Sequence, residues 1–404
     1  SDNFSVMHPV AGFKLGTASA GIKTIGRKDL VVIELSEQST VAALFTLNAF
    51  CAAPVTVAKQ HLAAAKTRYL LINTGNANAG TGESGLADAQ QSCAALAALQ
   101  GVSVAQVLPF STGVIGQSLP MDRLLAGIPK SVAQLNEAGW DEAAKGILTT
   151  DTRAKGASLQ FTLNGADRPV TITGITKGSG MIRPNMATML AYIATDAAVS
   201  AECLQAMWAD VVEHSFNRVT VDGDTSTNDA ALLIATAKAG NEKITAADHP
   251  DYLLLKTAVF EVALELAQWL VRDGEGASKF VTVAVKEGRD AQECLEVAYT
   301  IAHSPLVKTA IFASDPNWGR LLMAIGRAQV DNLDVDLISV RLNDVLIAEN
   351  GCRAESYSEE QGAAAMAPTD ITIEVRLGRG QVEETVWTSD LSYDYVRINA
   401  EYRT

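Results

Sequence analysis

The chain has 404 residues, of which 48% are hydrophobic and 19% charged, a globular composition that suffices for one large domain or two smaller ones. Its formal net charge of −14 would repel a phosphate backbone, so nucleic-acid binding is not expected. No apolar run comes near the roughly 18 residues that span a membrane, and the start lacks a signal-peptide pattern, which together predict a cytoplasmic protein that does not enter a membrane.

Short apolar runs and helical patterns alternate along the first half of the chain. The predicted strands are Leu30–Leu35, Val41–Leu47, Val55–Val57 and Tyr69–Ile72. The predicted helices are Ala87–Leu99 and Met121–Ile128. Asn164-Gly165 is a strong turn dipeptide and predicts a hairpin between Leu159–Leu163 and Val170–Ile175. A buried strand is predicted at Met189–Ala194.

The second half begins with the longest helical pattern, Tyr252–Val271, whose apolar residues are spaced so that they form one apolar face. A strand at Phe280–Val285 and a helix at Ala291–His303 follow. Further β structure is predicted at Val335–Val340, Ile371–Val375 and Tyr393–Ile398. The chain has no regular strand–helix–strand rhythm, so layered sheets covered by helices fit better than a doubly wound parallel sheet.

The segment 177–190 places a threonine directly after a small residue and before an apolar run. This arrangement is typical of a threonine that cuts its own backbone and then acts as an N-terminal nucleophile. Glycines in the segment permit unusual backbone angles and its proline restricts one torsion, which suits a strained peptide. A cut between Ala187 and Thr188 would give chains 1–187 and 188–404, with acyl transfer through Thr188.

A threonine hydroxyl is a weak nucleophile in water and needs a neighbouring base. At a new N-terminus Thr188 would carry its own base, because a free α-amine has a reference pKa of roughly 7.7–8.0. The other interpretation is structural, since threonine often begins a strand and Gly-Ser-Gly is usually a turn. The segment alone leaves both interpretations open.

Further blocks of sequence lie on both sides of this segment. They are LINTGNANAG at 71–80, STGVIG at 111–116, TTDT at 149–152, KGSGMIRPNMATML at 177–190, FNRVTVDGDTSTND at 216–229, DGEG at 273–276, DPNWGR at 315–320 and NAEYRT at 399–404. Together they resemble the ornithine acetyltransferase family, also called glutamate N-acetyltransferase, of arginine biosynthesis. The resemblance covers nearly the whole chain, and the number and order of the blocks argue against a chance match.

The resemblance implies an enzyme that moves an acetyl group from N2-acetyl-L-ornithine to L-glutamate by a ping-pong mechanism through an acetyl-enzyme. It implies self-processing into an α chain, 1–187, and a β chain, 188–404. The implied fold is α/β, with a layered α-β-β-α sandwich-like catalytic body and a smaller α/β domain within the β chain. The α and β chains would stay associated after self-processing, usually as α2β2 or larger assemblies. No cofactor is expected. Some members also use acetyl-CoA to make N-acetylglutamate, and nothing in the sequence decides whether this chain does.

The resemblance also assigns catalytic roles. Cleavage falls between Ala187 and Thr188, and Thr188 is the nucleophile of both half-reactions. Thr112 and Gly113 would form the oxyanion hole, where a hydroxyl and a backbone N–H stabilise a tetrahedral oxyanion. Losing one such donor typically lowers the rate by about 10²–10³-fold.

Substrate binding is assigned by the same resemblance to Thr150, Lys177, Thr188, Glu275, Asn399 and Thr404. These residue types suit amino-acid substrates, because Lys177 can pair with a carboxylate and Glu275 can accept from an ammonium group. The choice of Thr150 over its neighbours Thr149 and Thr152 stays open at this point.

Several of these residues also have a structural interpretation. Gly113 fits a turn, and Glu275 fits a solvated loop after a long helix. Asn399 and Thr404 lie near the C-terminus, where chains are often disordered. An ordered, functional C-terminal segment is therefore a specific expectation of the resemblance.

No metal site or disulfide is predicted. The five cysteines are scattered without a CxxC spacing, and the five histidines form no ligand cluster. The acidic block that contains Asp222, Asp224 and Asp229 lacks the EF-hand spacing and its terminal glutamate. We interpret that block as structural.

Two other classes of protein compete with acetyl transfer. A self-processing aminopeptidase or amidohydrolase would use the same nucleophile but give the acyl group to water. A nucleotide-binding protein would cradle phosphate in the glycine-rich segments 75–82 and 178–180. Neither segment matches G-x-x-x-x-G-K-[ST] or G-x-G-x-x-G, and the whole-chain resemblance favours transfer to glutamate.

Overall fold

The computed structural model describes residues 6–166, 168–183 and 189–402. Packing divides them into two units, a larger one of residues 6–217 and 224–270 and a smaller one of residues 218–223 and 271–402. The smaller unit lies within 188–404, the segment in which the smaller domain is predicted. The predicted covalent division into 1–187 and 188–404 is a separate property and stays a prediction.

The larger unit is built on two sheets. Its strands among the described residues are β1 (Phe13–Ala18), β2 (Leu30–Leu35), β3 (Thr40–Phe45), β4 (Tyr69–Asn76), β5 (Val107–Val114), β6 (Lys155–Phe161), β7 (Val170–Lys177), β8 (Leu190–Thr195) and β9 (Ala230–Ala235). The first sheet has the order β1-β2-β4-β5, and the second has the order β3-β9-β8-β7-β6.

Alternating residues of β2 explain how the layers are held together. Val31 and Ile33 lie in a core between the two sheets, together with Tyr192 of β8. Leu30 and Val32 point the other way, into a second core under helices. Successive side chains of a strand face opposite sides, so a nearly continuous apolar run buries both faces of the sheet.

Helices cover the outer face of each sheet. The helices of the larger unit are α1 (Ala53–Ala64), α2 (Gly82–Gln100), α3 (Met121–Val132), α4 (Trp140–Gly146), α5 (Ala201–Glu213) and α6 (Tyr252–Arg272), which belongs to this unit through Leu270. Among them α4 is the exception, because its Trp140 lies in the core between the two sheets. The first three share the core outside the first sheet. Outside the second sheet, the indole of Trp208 in α5 donates to the carbonyl of Ala231 over 2.9 Å, and Leu266 of α6 packs against Gly174 of β7. The predicted α-β-β-α sandwich is confirmed.

The smaller unit has its own sheet and core. Its strands are β10 (Phe280–Gly288), β11 (Ser339–Leu342), β12 (Val345–Glu349), β13 (Cys352–Arg353), β14 (Asp370–Arg376) and β15 (Val382–Ser389), in the order β13-β12-β11-β14-β10-β15. Its helices are α7 (Ala291–Ala302), α8 (Pro305–Phe312), α9 (Trp318–Arg327), α10 (Glu359–Met366) and α11 (Tyr393–Glu401). Val283, Ile301 and Ile325 belong to one buried cluster that joins sheet and helices. The expected smaller α/β domain is confirmed.

Several predicted elements coincide with observed ones. Leu30–Leu35 is β2, and Tyr252–Val271 is α6 with one more residue. Met189–Ala194 becomes β8, shifted by one residue. Within the described part of the chain, each helix is too short or too polar to cross a membrane.

The predicted hairpin exists, but its connection is longer than a tight turn. β6 and β7 pair antiparallel with Phe161 opposite Val170. The backbone N–H and the side-chain amide of Asn164 both donate to Oδ1 of Asp251, over 3.1 and 2.9 Å. Asn164-Gly165 therefore lies inside a loop that is anchored to a distant part of the chain.

Three strand predictions are wrong or partly wrong. Val55–Val57 lies in α1, where Pro54 occupies the first turn. Tyr393–Ile398 lies in α11, which begins after Ser392, whose side chain accepts from a backbone N–H of the first turn. Val335–Val340 is divided between a short 3₁₀ turn and the start of β11. These runs are too short for periodicity to separate helix from strand.

Candidate active site

Two predicted site residues of the larger unit, the substrate-binding Lys177 and the oxyanion-hole Thr112, lie at one end of its two sheets. Lys177 ends β7 and is opposite Leu190, the first residue of β8. Leu190 is in turn opposite Ala230, the first residue of β9. Thr112 lies near the end of β5 in the other sheet. Met189, which enters β8, is therefore held among the ends of these strands.

A hydrogen bond between Lys177 and Thr112 links the two sheets. Nζ of Lys177 donates to Oγ1 of Thr112 over 3.0 Å, and both residues are buried. An ammonium group has donors only, so Thr112 accepts in this contact and keeps its own hydrogen for another acceptor. The structure thus brings two predicted residues together and orients the hydroxyl of Thr112 as a donor.

Gly113 follows Thr112 in β5, and its position requires glycine. It pairs with Gly75 of β4, and its φ of 135° is one that side chains rarely adopt. A Cβ atom at Gly113 would lie 2.4 Å from the carbonyl carbon of Gly75 and 2.5 Å from the nitrogen of Asn76. Gly113 is a strand residue in close contact with a neighbouring backbone, so its interpretation as a turn glycine is wrong.

A buried ion pair supports the segment that follows Lys177. The side chains of Asp151 and Lys155 are fully buried and hydrogen-bonded to each other. Oδ2 of Asp151 also accepts the N–H of Gly178 over 2.8 Å. Burial raises the pKa of Asp151, but the charges of Lys155 and Lys177 and these hydrogen bonds together lower it to about 2. Asp151 is therefore ionised and holds the backbone of Gly178 in place.

Thr150 lies beside this pair. Its hydroxyl is 2.7 Å from the hydroxyl of Ser179, which follows Gly178 in the chain. Thr150 is half-buried. The contact places this predicted binding residue against the same segment that carries Lys177.

Buried amide side chains hold the end of β5. Nδ2 of Asn228 donates to the carbonyl oxygens of Ala77 over 2.6 Å and of Ser111 over 2.8 Å. The hydroxyl of Ser111 donates to Oδ1 of Asn73 in β4. These bonds connect the chain that enters β9 to the first sheet, directly beside Thr112. In the sequence, the one sign that Asn73, Ser111 and Asn228 are functional is that each lies in a block that resembles the acetyltransferase family.

Asp229, which is predicted from the sequence to be structural, also lies at this end of the sheets. Its Oδ1 accepts the N–H of Met189 over 2.8 Å. Burial raises the pKa of Asp229 well above its usual value, and the hydrogen bond from Met189 and the charge of Lys177 only partly oppose this. A buried acid with a perturbed pKa beside a predicted nucleophile is typical of a functional site.

Two predicted substrate-binding residues meet within the smaller unit. Nδ2 of Asn399, in α11, donates to Oε2 of Glu275 over 2.6 Å. Glycine at Gly276 permits this approach, because a Cβ atom there would lie 2.4 Å from the backbone nitrogen of Tyr395. Glu275 is only 8% exposed, so its interpretation as a solvated loop acid is wrong. Asn399 belongs to a helix rather than to a disordered end.

Three predicted site residues, Ala187, Thr188 and Thr404, lie outside the described residues, and their roles stay predictions. In the ranges that the structure does describe, no cluster of three or more His, Cys, Asp or Glu side chains is placed to hold a metal ion.

The α-β-β-α body, with a lysine, a hydroxyl and a buried acid at the ends of its strands, defines the class of this protein, an acyltransferase with a layered α/β fold. The family model of the ArgJ family matches residues 14–404. The chain belongs to the ArgJ family.

Comparison with individual proteins agrees with this assignment. Proteins of Pseudomonas fluorescens (strain Pf0-1) and Pseudomonas syringae pv. tomato, both named arginine biosynthesis bifunctional protein ArgJ, are each 59% identical over 398 residues, which covers 98% of this chain and 98% of theirs. A crystal structure of arginine biosynthesis bifunctional protein ArgJ from Bacillus halodurans is similar with a TM-score of 0.50 and 37% identity, covering 52% of this chain and 98% of that one.

Proposed function

We propose that this chain transfers the acetyl group of N2-acetyl-L-ornithine to L-glutamate in the cyclic pathway of arginine biosynthesis. Membership of the ArgJ family across residues 14–404 supports the proposal. The observation that carries it is geometric: Thr112 and Lys177 meet where Met189, the residue after the predicted nucleophile Thr188, enters β8. Acyl transfer needs a nucleophile beside an oxyanion donor, and this arrangement is suited to that need.

The first proposed step is cleavage of the chain itself. Oγ of Thr188 attacks the carbonyl carbon of Ala187, and the peptide becomes an ester while its nitrogen gains a proton. Water hydrolyses the ester, which releases 1–187 and leaves Thr188 with a free α-amine. The solved Bacillus halodurans chain supports this step by its length, because 98% of it covers 52% of this chain, about the size of one product.

Acetyl transfer then uses the α-amine of Thr188 as the base. The amine accepts the hydroxyl proton while Oγ attacks the acetyl carbonyl of N-acetylornithine. The tetrahedral intermediate collapses to an acetyl-enzyme, and the proton leaves with ornithine. The amine of glutamate next attacks the ester, giving N-acetylglutamate and free Thr188. The Thr112 hydroxyl and the Gly113 N–H are the proposed oxyanion donors in both halves.

The role of Thr112 can be tested by replacing it with valine. Thr112→Val keeps the shape of the side chain but removes the donor, so kcat should fall by about 10²–10³-fold. Thr112→Ser keeps the hydroxyl and should recover most of the rate. Thr74→Val is the matched control, because Thr74 is the residue paired with Thr112 on β4. A wild-type kcat for Thr112→Val would remove Thr112 from the oxyanion hole.

Charged groups in each unit suit amino-acid substrates. In the larger unit, Lys177 offers a buried positive charge, which favours a carboxylate, and Thr150 offers a hydroxyl. In the smaller unit, Asn399 holds the carboxylate of Glu275, which suits an ammonium group. Thr404 is proposed as a further binding residue on the resemblance alone.

The fragments 1–187 and 188–404 are proposed to stay associated, in an α2β2 or larger assembly in the cytoplasm and without a cofactor. β7 and β8 lie on opposite sides of the cut and pair from Ile172 to Lys177, which favours association. All five cysteines are free, as expected in a reducing compartment. Whether acetyl-CoA is a second donor is tested by supplying it to the enzyme in place of N-acetylornithine, with glutamate as acceptor.

Incubation of the purified protein with N-acetylornithine, with and without glutamate, tests the proposed reaction. We expect continuous release of ornithine only with glutamate, accompanied by an equal amount of N-acetylglutamate. Without glutamate, release should stop near about one ornithine per enzyme, because the acetyl-enzyme waits for an acceptor. Continuous release without glutamate would indicate the alternative hydrolase. Absence of release under both conditions would contradict both functions.

A further inference from the structure

Asp229 holds the residue that follows the predicted nucleophile. Oδ1 of Asp229 accepts the N–H of Met189 over 2.8 Å. Ala230, which follows Asp229 in the chain, donates its N–H to the carbonyl of Met189 over 3.2 Å. Met189 is thus held through both of its backbone polar groups. The carbonyl of Asp229 itself accepts the N–H of Thr46 over 3.0 Å, which fixes Asp229 against the chain that leaves β3.

The carboxyl group of Asp229 is buried, and the positive charge of Lys177 acts on it. Its second oxygen, Oδ2, is buried without a hydrogen-bond partner in the described part of the chain. A buried acid with an unsatisfied oxygen is costly to keep, because an apolar residue would bury more favourably. Among the described residues, the backbone N–H that its side chain accepts is that of Met189, the first amide after Thr188.

We propose that Asp229 is a positioning residue for the nucleophile, acting through the N–H of Met189; this inference rests on the proposed function. A peptide unit is planar, so an acceptor that fixes the N–H of Met189 also fixes the plane of the bond that joins it to Thr188. Self-cleavage and acetyl transfer both depend on the orientation of Thr188. Errors of about 1 Å in such a group commonly lower a rate by about 10²-fold.

The chain offers a matched control in Asp196. It is also buried, it follows β8 at the opposite end of the strand, and its Oδ1 accepts the N–H of Thr171 over 2.9 Å. Burial raises the pKa of Asp196 as it does that of Asp229. Replacement of either acid removes a buried acceptor of a backbone N–H, and replacement of Asp196 also removes an ion pair of 3.7 Å with Arg168. Asp196→Ala is therefore at least as demanding a control for stability, but only Asp229 contacts the residue beside Thr188.

The test compares Asp229→Ala, Asp229→Asn and Asp229→Glu with Asp196→Ala. Asparagine keeps an acceptor at the position of Oδ1 but is not an acid, whereas glutamate keeps the acid and displaces the acceptor. We expect Asp229→Ala and Asp229→Glu to slow self-cleavage and to lower kcat by about 10²-fold, with KM for N-acetylornithine little changed. Asp229→Asn should cleave and keep kcat within about tenfold of wild type, because it restores the acceptor.

Intact mass after defined times and steady-state kinetics provide the measurements, and melting curves show which variants fold. A purely structural role would lower the melting temperature of Asp229→Ala and Asp196→Ala alike, without a selective loss of kcat. Wild-type cleavage and kcat in Asp229→Ala would overturn the inference, as would an active Asp229→Glu beside an inactive, folded Asp229→Asn. If Asp229→Ala does not fold, the comparison of Asp229→Asn with Asp229→Glu still tests whether the acceptor at Oδ1 positions the nucleophile. A wild-type protein that neither cleaves nor transfers acetyl would instead refute the proposed function, and this inference with it.

Discussion

Replacing Thr188 with alanine is expected to leave a single chain of 404 residues that cannot transfer acetyl. Alanine lacks the hydroxyl that would attack the carbonyl of Ala187, so no new N-terminus forms. It also lacks the hydroxyl that would carry the acetyl group. Removal of a catalytic nucleophile typically lowers kcat by about 10⁴-fold or more. Intact mass under denaturing conditions and the glutamate-dependent assay measure the two effects.

Thr188→Ser is the control, because it keeps the hydroxyl and should still cleave. For wild type, masses that correspond to 1–187 and 188–404 are expected. A Thr188→Ala protein that is nevertheless cut at Ala187 would show that another group attacks that bond. A wild-type protein that stays uncut yet transfers acetyl would mean that the free α-amine is not the base.

Breaking the Asp151–Lys155 pair is expected to produce the largest loss of stability. Asp151→Asn keeps the size of the side chain and an acceptor for the N–H of Gly178, but leaves the ammonium of Lys155 buried without a counter-charge. Removing one partner of a buried pair typically costs about 3–5 kcal/mol. Urea unfolding measures this loss. Lys155→Met in the Asp151→Asn background should recover about 1 kcal/mol or more, because the uncompensated charge is gone.

An exposed pair provides the comparison for this cycle. Asp394 and Arg397 are 3.2 Å apart, with side chains 66% and 59% exposed. Asp394→Asn should change the free energy of unfolding by less than about 1 kcal/mol, because water screens exposed pairs. Equal losses for Asp151→Asn and Asp394→Asn would show that the buried pair does not contribute as proposed.

The same pair predicts a dependence of stability on pH. The pKa of Asp151 is lowered from 3.8 to about 2 in the folded protein, so the folded state favours its ionised form. Its contribution is complete above the unfolded pKa and is lost as pH falls through about 2. The change amounts to about 2 kcal/mol. The difference in stability between wild type and Asp151→Asn should therefore narrow below pH 4, as measured by urea unfolding at pH 5, 4 and 3.

Elements with strong local patterns can be predicted from the sequence. The apolar run Leu30–Leu35 and the one-sided helix Tyr252–Val271 have sufficient length for their periodicity to be decisive. Val55–Val57 and Tyr393–Ile398 do not, and both form helices. Their outcome depended on signals just before each run, a first-turn proline and a capping serine, which the apolar pattern of the runs themselves does not contain.

The sequence by itself determined the family, the expected nucleophile Thr188 and its companions Thr112 and Lys177, because these lie in long, recognisable blocks. The tertiary structure alone decided that Asp151 and Asp229 belong to the same end of the sheets. In the sequence, Asp151 and Lys155 have the spacing of an ordinary surface pair, and Asp229 is one acid among several. Burial gives these residues a different role, because the free energy of a charged group depends on how much water it loses. Strands from distant parts of the chain determine that loss of water.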